Sequence, residues 1–209
     1  MFIVNPQIEE YIQNLTESIK FDNDILLQME EYGRQTNFPI VERKVGVLLY
    51  IITKIKKPKL VVEMGSGYGY SAYFFAKAID HGKVVLTDFQ QKNIDMAKNY
   101  FEKAGLLDKA EFRVGNALEI VKEYKNIDIL FLDLEKVKYF EAIKLMENNL
   151  SDNGLVIADN VLWYGNVVLE NIDKKTEVIK EFNRYMFESG KFISQIVPIR
   201  DGVLIGLKV

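Results

Sequence analysis

Three aspartates, an asparagine and a lysine stand where chemistry would need them: Asp88, Asp133, Asp159 with its neighbour Asn160, and Lys136 three residues past Asp133. Each aspartate closes a short apolar run: Val84-Val85-Leu86-Thr87-Asp88, Ile129-Leu130-Phe131-Leu132-Asp133 and Leu155-Val156-Ile157-Ala158-Asp159. Such runs read as strands of a parallel sheet buried on both faces. Ligands of open parallel sheets bind beyond the carboxyl ends of the strands, so Asp133 and Asp159-Asn160 can converge on one hard cation. Carboxylate and amide oxygens, with neither Cys nor His, suit magnesium, calcium or manganese. Taken singly, the same residues have plainer uses, Asp133 as a helix cap and Asp159-Asn160 as a turn. Their joint spacing favours the shared site.

A second constellation precedes them. Val61-Val62-Glu63-Met64 runs into Gly65-Ser66-Gly67-Tyr68-Gly69 and then Tyr70-Ser71. A strand that breaks into glycines before a helix makes a loop for a nucleotide-like cofactor. Glycine lets the backbone come close, and the helix start offers free N–H groups. The dinucleotide fingerprint would need glycine where Tyr70 stands, and no Lys-Ser or Lys-Thr pair follows to grip a triphosphate. Asp88 lies about 20 residues beyond the glycines, where a βαβ unit brings an acid to ribose hydroxyls.

The glycine loop, with Glu63 before it and Tyr70-Ser71 after it, resembles the first motif of class I S-adenosylmethionine methyltransferases. Further matches are Asp133-Leu134-Glu135-Lys136 with Tyr139, Asp159-Asn160-Val161-Leu162-Trp163-Tyr164-Gly165, and Pro198-Ile199-Arg200-Asp201-Gly202-Val203 near the C-terminus. Over residues 38–209 the chain resembles the cation-dependent O-methyltransferases that include the catechol and caffeoyl-CoA enzymes. The resemblance implies S-adenosylmethionine held by Glu63, Gly65, Ser66, Gly67, Gly69, Tyr70, Ser71, Asp88, Asn116, Ala117 and Asp133. It implies a divalent cation (Mg2+, Mn2+ or Ca2+) on Asp133, Asp159 and Asn160, Lys136 as the catalytic base, and a homodimer. Two departures stand out: Leu134-Glu135 replaces the frequent Ala-Asp, and Asn116 replaces an acid that meets the adenine amine. An amide oxygen can accept that same bond.

Methyl transfer from a sulfonium to a hydroxyl is an in-line displacement that needs the hydroxyl proton gone. A cation on two adjacent acceptor oxygens favours that loss and fixes the geometry. Holding the reacting atoms in contact supplies roughly 7–11 kcal/mol of the barrier. Lys136 is a base only when neutral, a form that burial beside a cation favours. Residues 8–42, with Met29-Glu30-Glu31-Tyr32 and Phe38-Pro39-Ile40, resemble the N-terminal helices of bacterial members that methylate 5-hydroxyuridine at the tRNA wobble position. That base presents a hydroxyl beside a carbonyl. Trp163 and Tyr164 would then stack on a flipped base, while Arg34, Arg43, Lys44, Lys138 and Arg200 meet phosphate. The alternative acceptor is a small catechol-like or acyl-CoA-linked phenol walled by the same aromatics. An alternative of another class is a cofactor binder without turnover, which the intact Asp133, Lys136, Asp159 and Asn160 oppose.

Positioning these residues takes a Rossmann-like, doubly wound α/β fold: a mostly parallel seven-stranded sheet, a C-terminal antiparallel hairpin and N-terminal helices. The expected strands cover 59–64, 83–88, 110–114, 127–133 and 154–159, with a hairpin of 192–197 and 203–209 around Asp201-Gly202. Helical spacing marks 8–19, 22–35, 41–55 and 174–187. One domain over 1–209, with 1–56 as a helical cap, is the expected organisation. At 209 residues and 48% hydrophobic, the chain can bury a full core. Its net charge of −3 exerts no global pull on phosphate, and the absence of Cys excludes disulfides and thiolate metal sites. No apolar run could span a bilayer and no basic-then-apolar leader is visible, so a cytoplasmic location without membrane contact is the expectation.

Overall fold

The computed structural model describes residues 3–21, 23–170 and 172–209. Five parallel strands form its centre: β1 (Leu60–Met64), β2 (Lys83–Asp88), β3 (Ala110–Val114), β4 (Ile127–Leu132) and β5 (Leu150–Ala158). The hairpin β6 (Phe192–Val197) and β7 (Val203–Lys208) completes a seven-stranded sheet in the order β3-β2-β1-β4-β5-β7-β6, with β7 antiparallel to β5. The sheet is thus the one expected from sequence. Its apolar runs are continuous because both faces are covered. Along β4, Ile129 and Phe131 face one core with α3 (Arg43–Lys56), α4 (Tyr70–Ala78) and α5 (Gln91–Lys103). Leu130 and Leu132 face the other, with α6 (Ala117–Ile120), α7 (Tyr139–Met146) and α8 (Lys174–Glu188). Phe131 also meets Phe75 of α4 edge-on at 5.5 Å, an arrangement aromatic quadrupoles prefer.

The N-terminal helices are α1 (Pro6–Glu17) and α2 (Asn23–Thr36), followed by α3. Asn5 caps α1 by accepting from the Gln7 N–H at 2.9 Å, with Pro6 in the first turn, where a missing N–H costs nothing. Helix α1 therefore starts and ends earlier than its apolar spacing suggested. The expected start of α2 at Asp22 falls outside the described residues. Helix α3 begins at Arg43 instead of Val41, after Pro39 has held the chain extended.

Strand β5 also starts earlier than expected, at Leu150. Ser151-Asp152-Asn153-Gly154 looks like a turn in sequence, and Asn153 does take a left-handed φ of 56°. Yet the Ser151 hydroxyl donates to Asp128 Oδ1 at 2.8 Å, and the β4–β5 register shifts there. On α1, Ile8, Tyr11, Ile12 and Leu15 remain exposed. Among the described residues no helix is long and apolar enough to cross a membrane.

Candidate active site

After β1 the chain winds outward through β2 and β3, then returns to lay β4 against the other side of β1. Such a reversal opens a crevice at the carboxyl ends of the two strands. A cavity of about 600 Å³ lies there. Its wall contains Gly65, Ser66, Gly67, Tyr70, Ser71, Asp88, Asn116, Ala117, Asp133, Lys136, Asp159, Asn160, Trp163, Tyr164 and Arg200. Most of the residues singled out in the sequence are thereby brought together. The strand ends do this because each closes an apolar run at the same edge of the sheet.

The glycine loop is joined to β4 backbone to backbone. The Asp133 N–H donates to the Met64 carbonyl at 3.0 Å. Gly65, at φ 92°, approaches so closely that a Cβ there would collide with the Asp133 carbonyl oxygen. Ser66 fixes the loop to β2: its N–H donates to the Thr87 carbonyl at 2.8 Å, and its hydroxyl accepts from the Thr87 N–H at 3.0 Å. Asp88, at the end of β2, accepts from the Gln90 N–H at 2.8 Å and from Asn93 Nδ2 at 3.0 Å, both through Oδ1.

Two expected cofactor residues, Glu63 and Gly69, are absent from the wall. Glu63 is fully buried in β1, where its Oε1 accepts from the Ser71 hydroxyl and burial pushes its carboxyl up to about 8. Its place is under the loop, tying β1 to α4. Gly69 is the left-handed residue that caps α4, packed on Ala97, Leu86 and Phe101. Asn116 does line the cavity, yet its Oδ1 accepts from the Leu118 N–H at 3.0 Å as the cap of α6. The oxygen expected to meet an adenine amine therefore already has one partner.

Asp133 and Asp159 face the same end of the cavity. Asp159 is fully buried, and its carboxyl is pushed up to about 7, first by burial and then by the charge of Asp133. Its Oδ2 meets Arg200 Nη1 at 3.4 Å, while its Oδ1 has no partner among the described residues. A buried oxygen without a partner is uncommon and leaves an acceptor for an ion or an ordered water. No group of three His, Cys, Asp or Glu side chains that could hold a metal occurs among the described residues. A cation here would accordingly rest on two carboxylates and the Asn160 amide. Lys136 Nζ donates to Asp133 Oδ1 at 3.0 Å and to the Tyr139 hydroxyl oxygen at 2.7 Å.

The basic rim expected from sequence is only partly formed. Arg43 does not reach the cavity: it is buried, forked onto Glu30 at 2.9 and 2.8 Å, and Tyr70 donates to that same Glu30 at 2.5 Å. Burial without a carboxylate partner would be costly for a guanidinium, so the α2–α3 packing claims it. Lys44 is likewise buried against Glu9 and Glu42, and Arg34 pairs with Glu31 on the surface. Of the five cations, Lys138 and Arg200 line the cavity. Trp163 and Tyr164 do so from a turn in which both take left-handed φ, 45° and 55°. Asp201 in the β6–β7 turn secures that conformation by accepting from the Tyr164 N–H.

The structure adds residues that the sequence reading left out of the site. Phe38, Pro39, Ile40 and Val41 roof the cavity, and Phe38 packs over Gly67, where a Cβ would come within 2.8 Å of its ring. Helical spacing stops at 35 and resumes at 41, which marks a break there but not its tertiary position. Phe89, 71% exposed beside Asp88, also joins the wall. Its signal was an apolar residue directly after a strand-end acid.

Comparisons with known proteins identify relatives of the chain. The O-methyltransferase family profile matches residues 16–209. The caffeoyl-CoA O-methyltransferase of Pinus taeda is 30% identical over 180 residues, covering 78% of this chain and 69% of its own. A methyltransferase from Geobacter sulfurreducens is 33% identical, with a TM-score of 0.83 over 99% of this chain and 100% of that one. An O-methyltransferase from Bacillus cereus, solved in complex with SAH, shares the fold at a TM-score of 0.85, covering 97% of each chain at 22% identity. With its motifs gathered at one sheet edge and these relatives along nearly its whole length, the chain belongs to the S-adenosylmethionine-dependent O-methyltransferase family that includes the caffeoyl-CoA enzymes.

Proposed function

We propose that this methyltransferase works with a divalent cation and methylates a hydroxyl that has an oxygen beside it, the acceptor being 5-hydroxyuridine at the tRNA wobble position. The observation that carries the chemistry is the meeting of Asp133, Lys136 and Asp159 in one cavity, with Asp159 Oδ1 buried and unpartnered among the described residues. Two facing carboxylates and an amide form an all-oxygen donor set that fits magnesium, manganese or calcium. Asp133, Asp159 and Asn160 would hold that ion. When bound, it supplies Lewis acidity and a template for two adjacent acceptor oxygens.

The chain's own residues do the rest. The loop at Gly65, Ser66 and Gly67 and the carboxylate of Asp88 bind the methyl donor. Asp88 Oδ1 is engaged with Gln90 and Asn93, so Oδ2 is the oxygen for ribose hydroxyls. Phe38 and its neighbours wall one side of the cavity. The proton of the acceptor hydroxyl passes to Lys136 Nζ as the methyl carbon leaves sulfur and bonds to oxygen. The sulfonium becomes a neutral thioether, and charge balances. Asp88→Ala removes a hydrogen-bond acceptor, so affinity for S-adenosylmethionine should fall roughly ten- to a hundredfold. Calorimetry giving an unchanged Kd would take Asp88 out of the site.

The tRNA reading is supported by the N-terminal helices, by the aromatic Trp163 and Tyr164 at the mouth, and by Lys138 and Arg200 on its wall. Tyr164 is 67% exposed, as a stacking platform for a flipped base would be. The second reading, a caffeoyl-type phenol, is favoured by the similarity to the Pinus taeda enzyme. Labelled S-adenosylmethionine offered with hydroxyuridine-containing tRNA, unmodified tRNA, catechol and caffeoyl-CoA separates the two. Label should enter the hydroxyuridine-containing tRNA. Ready transfer to the phenols with that tRNA untouched would overturn the proposal.

A further inference from the structure

Tyr139, the first residue of α7, places its hydroxyl where Lys136 and the ends of β4 and β5 meet. The side chain is fully buried, its ring edge-on to Phe182 of α8 at 5.4 Å. The hydroxyl donates toward two backbone carbonyls, Leu132 at 2.9 Å and Asp159 at 3.0 Å. Its single proton is thereby committed, so the phenol oxygen can only accept from Lys136 Nζ, 2.7 Å away. The other partner of that nitrogen is Asp133 Oδ1 at 3.0 Å. A neutral amine has two N–H bonds and one lone pair. With Asp133 and Tyr139 taking the two N–H bonds, the lone pair is left to the cavity that Lys136 lines.

We infer that Tyr139 is a positioning residue that aims the Lys136 amine at the acceptor hydroxyl. Lysine sits on a flexible four-carbon stem, and a single contact to Asp133 would let its nitrogen swing. The second anchor removes that freedom. A purely structural role is weakened by one detail: the Leu132 carbonyl also accepts from the Asp159 N–H at 3.1 Å, so the β4–β5 junction has a bond of its own.

This inference rests on Lys136 being the base, and a double-mutant cycle separates the two. Turnover is measured on hydroxyuridine-containing tRNA and on catechol, at saturating methyl donor, for wild type, Lys136→Ala, Tyr139→Phe and the double variant. Tyr139→Phe should lower kcat roughly two- to tenfold, the scale of a lost hydrogen bond between neutral groups, with KM and donor affinity little changed. In the Lys136→Ala background the same change should cost nothing further. An equal loss in both backgrounds, or wild-type kcat in Tyr139→Phe, overturns the positioning role while leaving the base in place. Wild-type turnover in Lys136→Ala instead removes the base and the inference with it. Should Tyr139→Phe not fold, 3-fluorotyrosine at this position keeps ring and hydroxyl but weakens the oxygen as an acceptor. Its smaller loss of kcat should again vanish without Lys136, and a loss that persists there overturns the inference.

Discussion

Chelating divalent cations should abolish methyl transfer, and magnesium or manganese should restore it. The largest effect is expected here because a cation would assist both loss of the hydroxyl proton and the placing of the acceptor. Asp159→Ala should reproduce the loss while the fold stands. Its Oδ2 meets Arg200 at 3.4 Å and its Oδ1 is unpartnered among the described residues, so truncation removes a buried carboxyl at modest cost to the fold. Binding can be read without turnover. At a hundred times Kd, an ion that binds only the folded chain adds about 2.7 kcal/mol. For a domain of this length that raises Tm by roughly 5–10 °C. Manganese should shift wild type by that amount and leave Asp159→Ala unmoved. Full turnover in excess chelator would refute the metal mechanism.

Lys136→Ala should lower turnover by roughly 10²–10⁴-fold at neutral pH, the usual contribution of a positioned base, with little change in donor affinity. Lys136 is only 10% exposed and bonded to Asp133 and Tyr139, so its nitrogen is held in place at the cavity. The size of the loss should depend on the acceptor. A hydroxyl that ionises more readily needs the base less, and 5-hydroxyuridine should lose less rate than a simple catechol. Equal losses on both acceptors would mean that the lysine acts otherwise than by removing the proton. Wild-type turnover would dismiss it altogether.

The sequence by itself determined the sheet and the edge at which chemistry gathers. Runs such as Ile129 to Leu132, apolar on both faces, read as interior parallel strands, and the acids that follow them then lie at one edge. Glycine spacing marked the loop because Gly65 must pass against the Asp133 carbonyl, a steric demand that leaves its imprint on residue type. Tertiary structure alone decided which polar residues face the cavity and which hold the protein together. Arg43 and Glu63 have the chemistry of ligand contacts, yet one is forked onto Glu30 and the other is locked beneath the loop by Ser71. Residue type cannot tell these uses apart, because a buried charge needs a partner whether that partner is a ligand or another element of the fold. The same holds for Phe38 and Tyr139. Their neighbours, Gly67 across the roof of the cavity and the Leu132 and Asp159 carbonyls, are fixed by packing between segments distant along the chain, which no local spacing records.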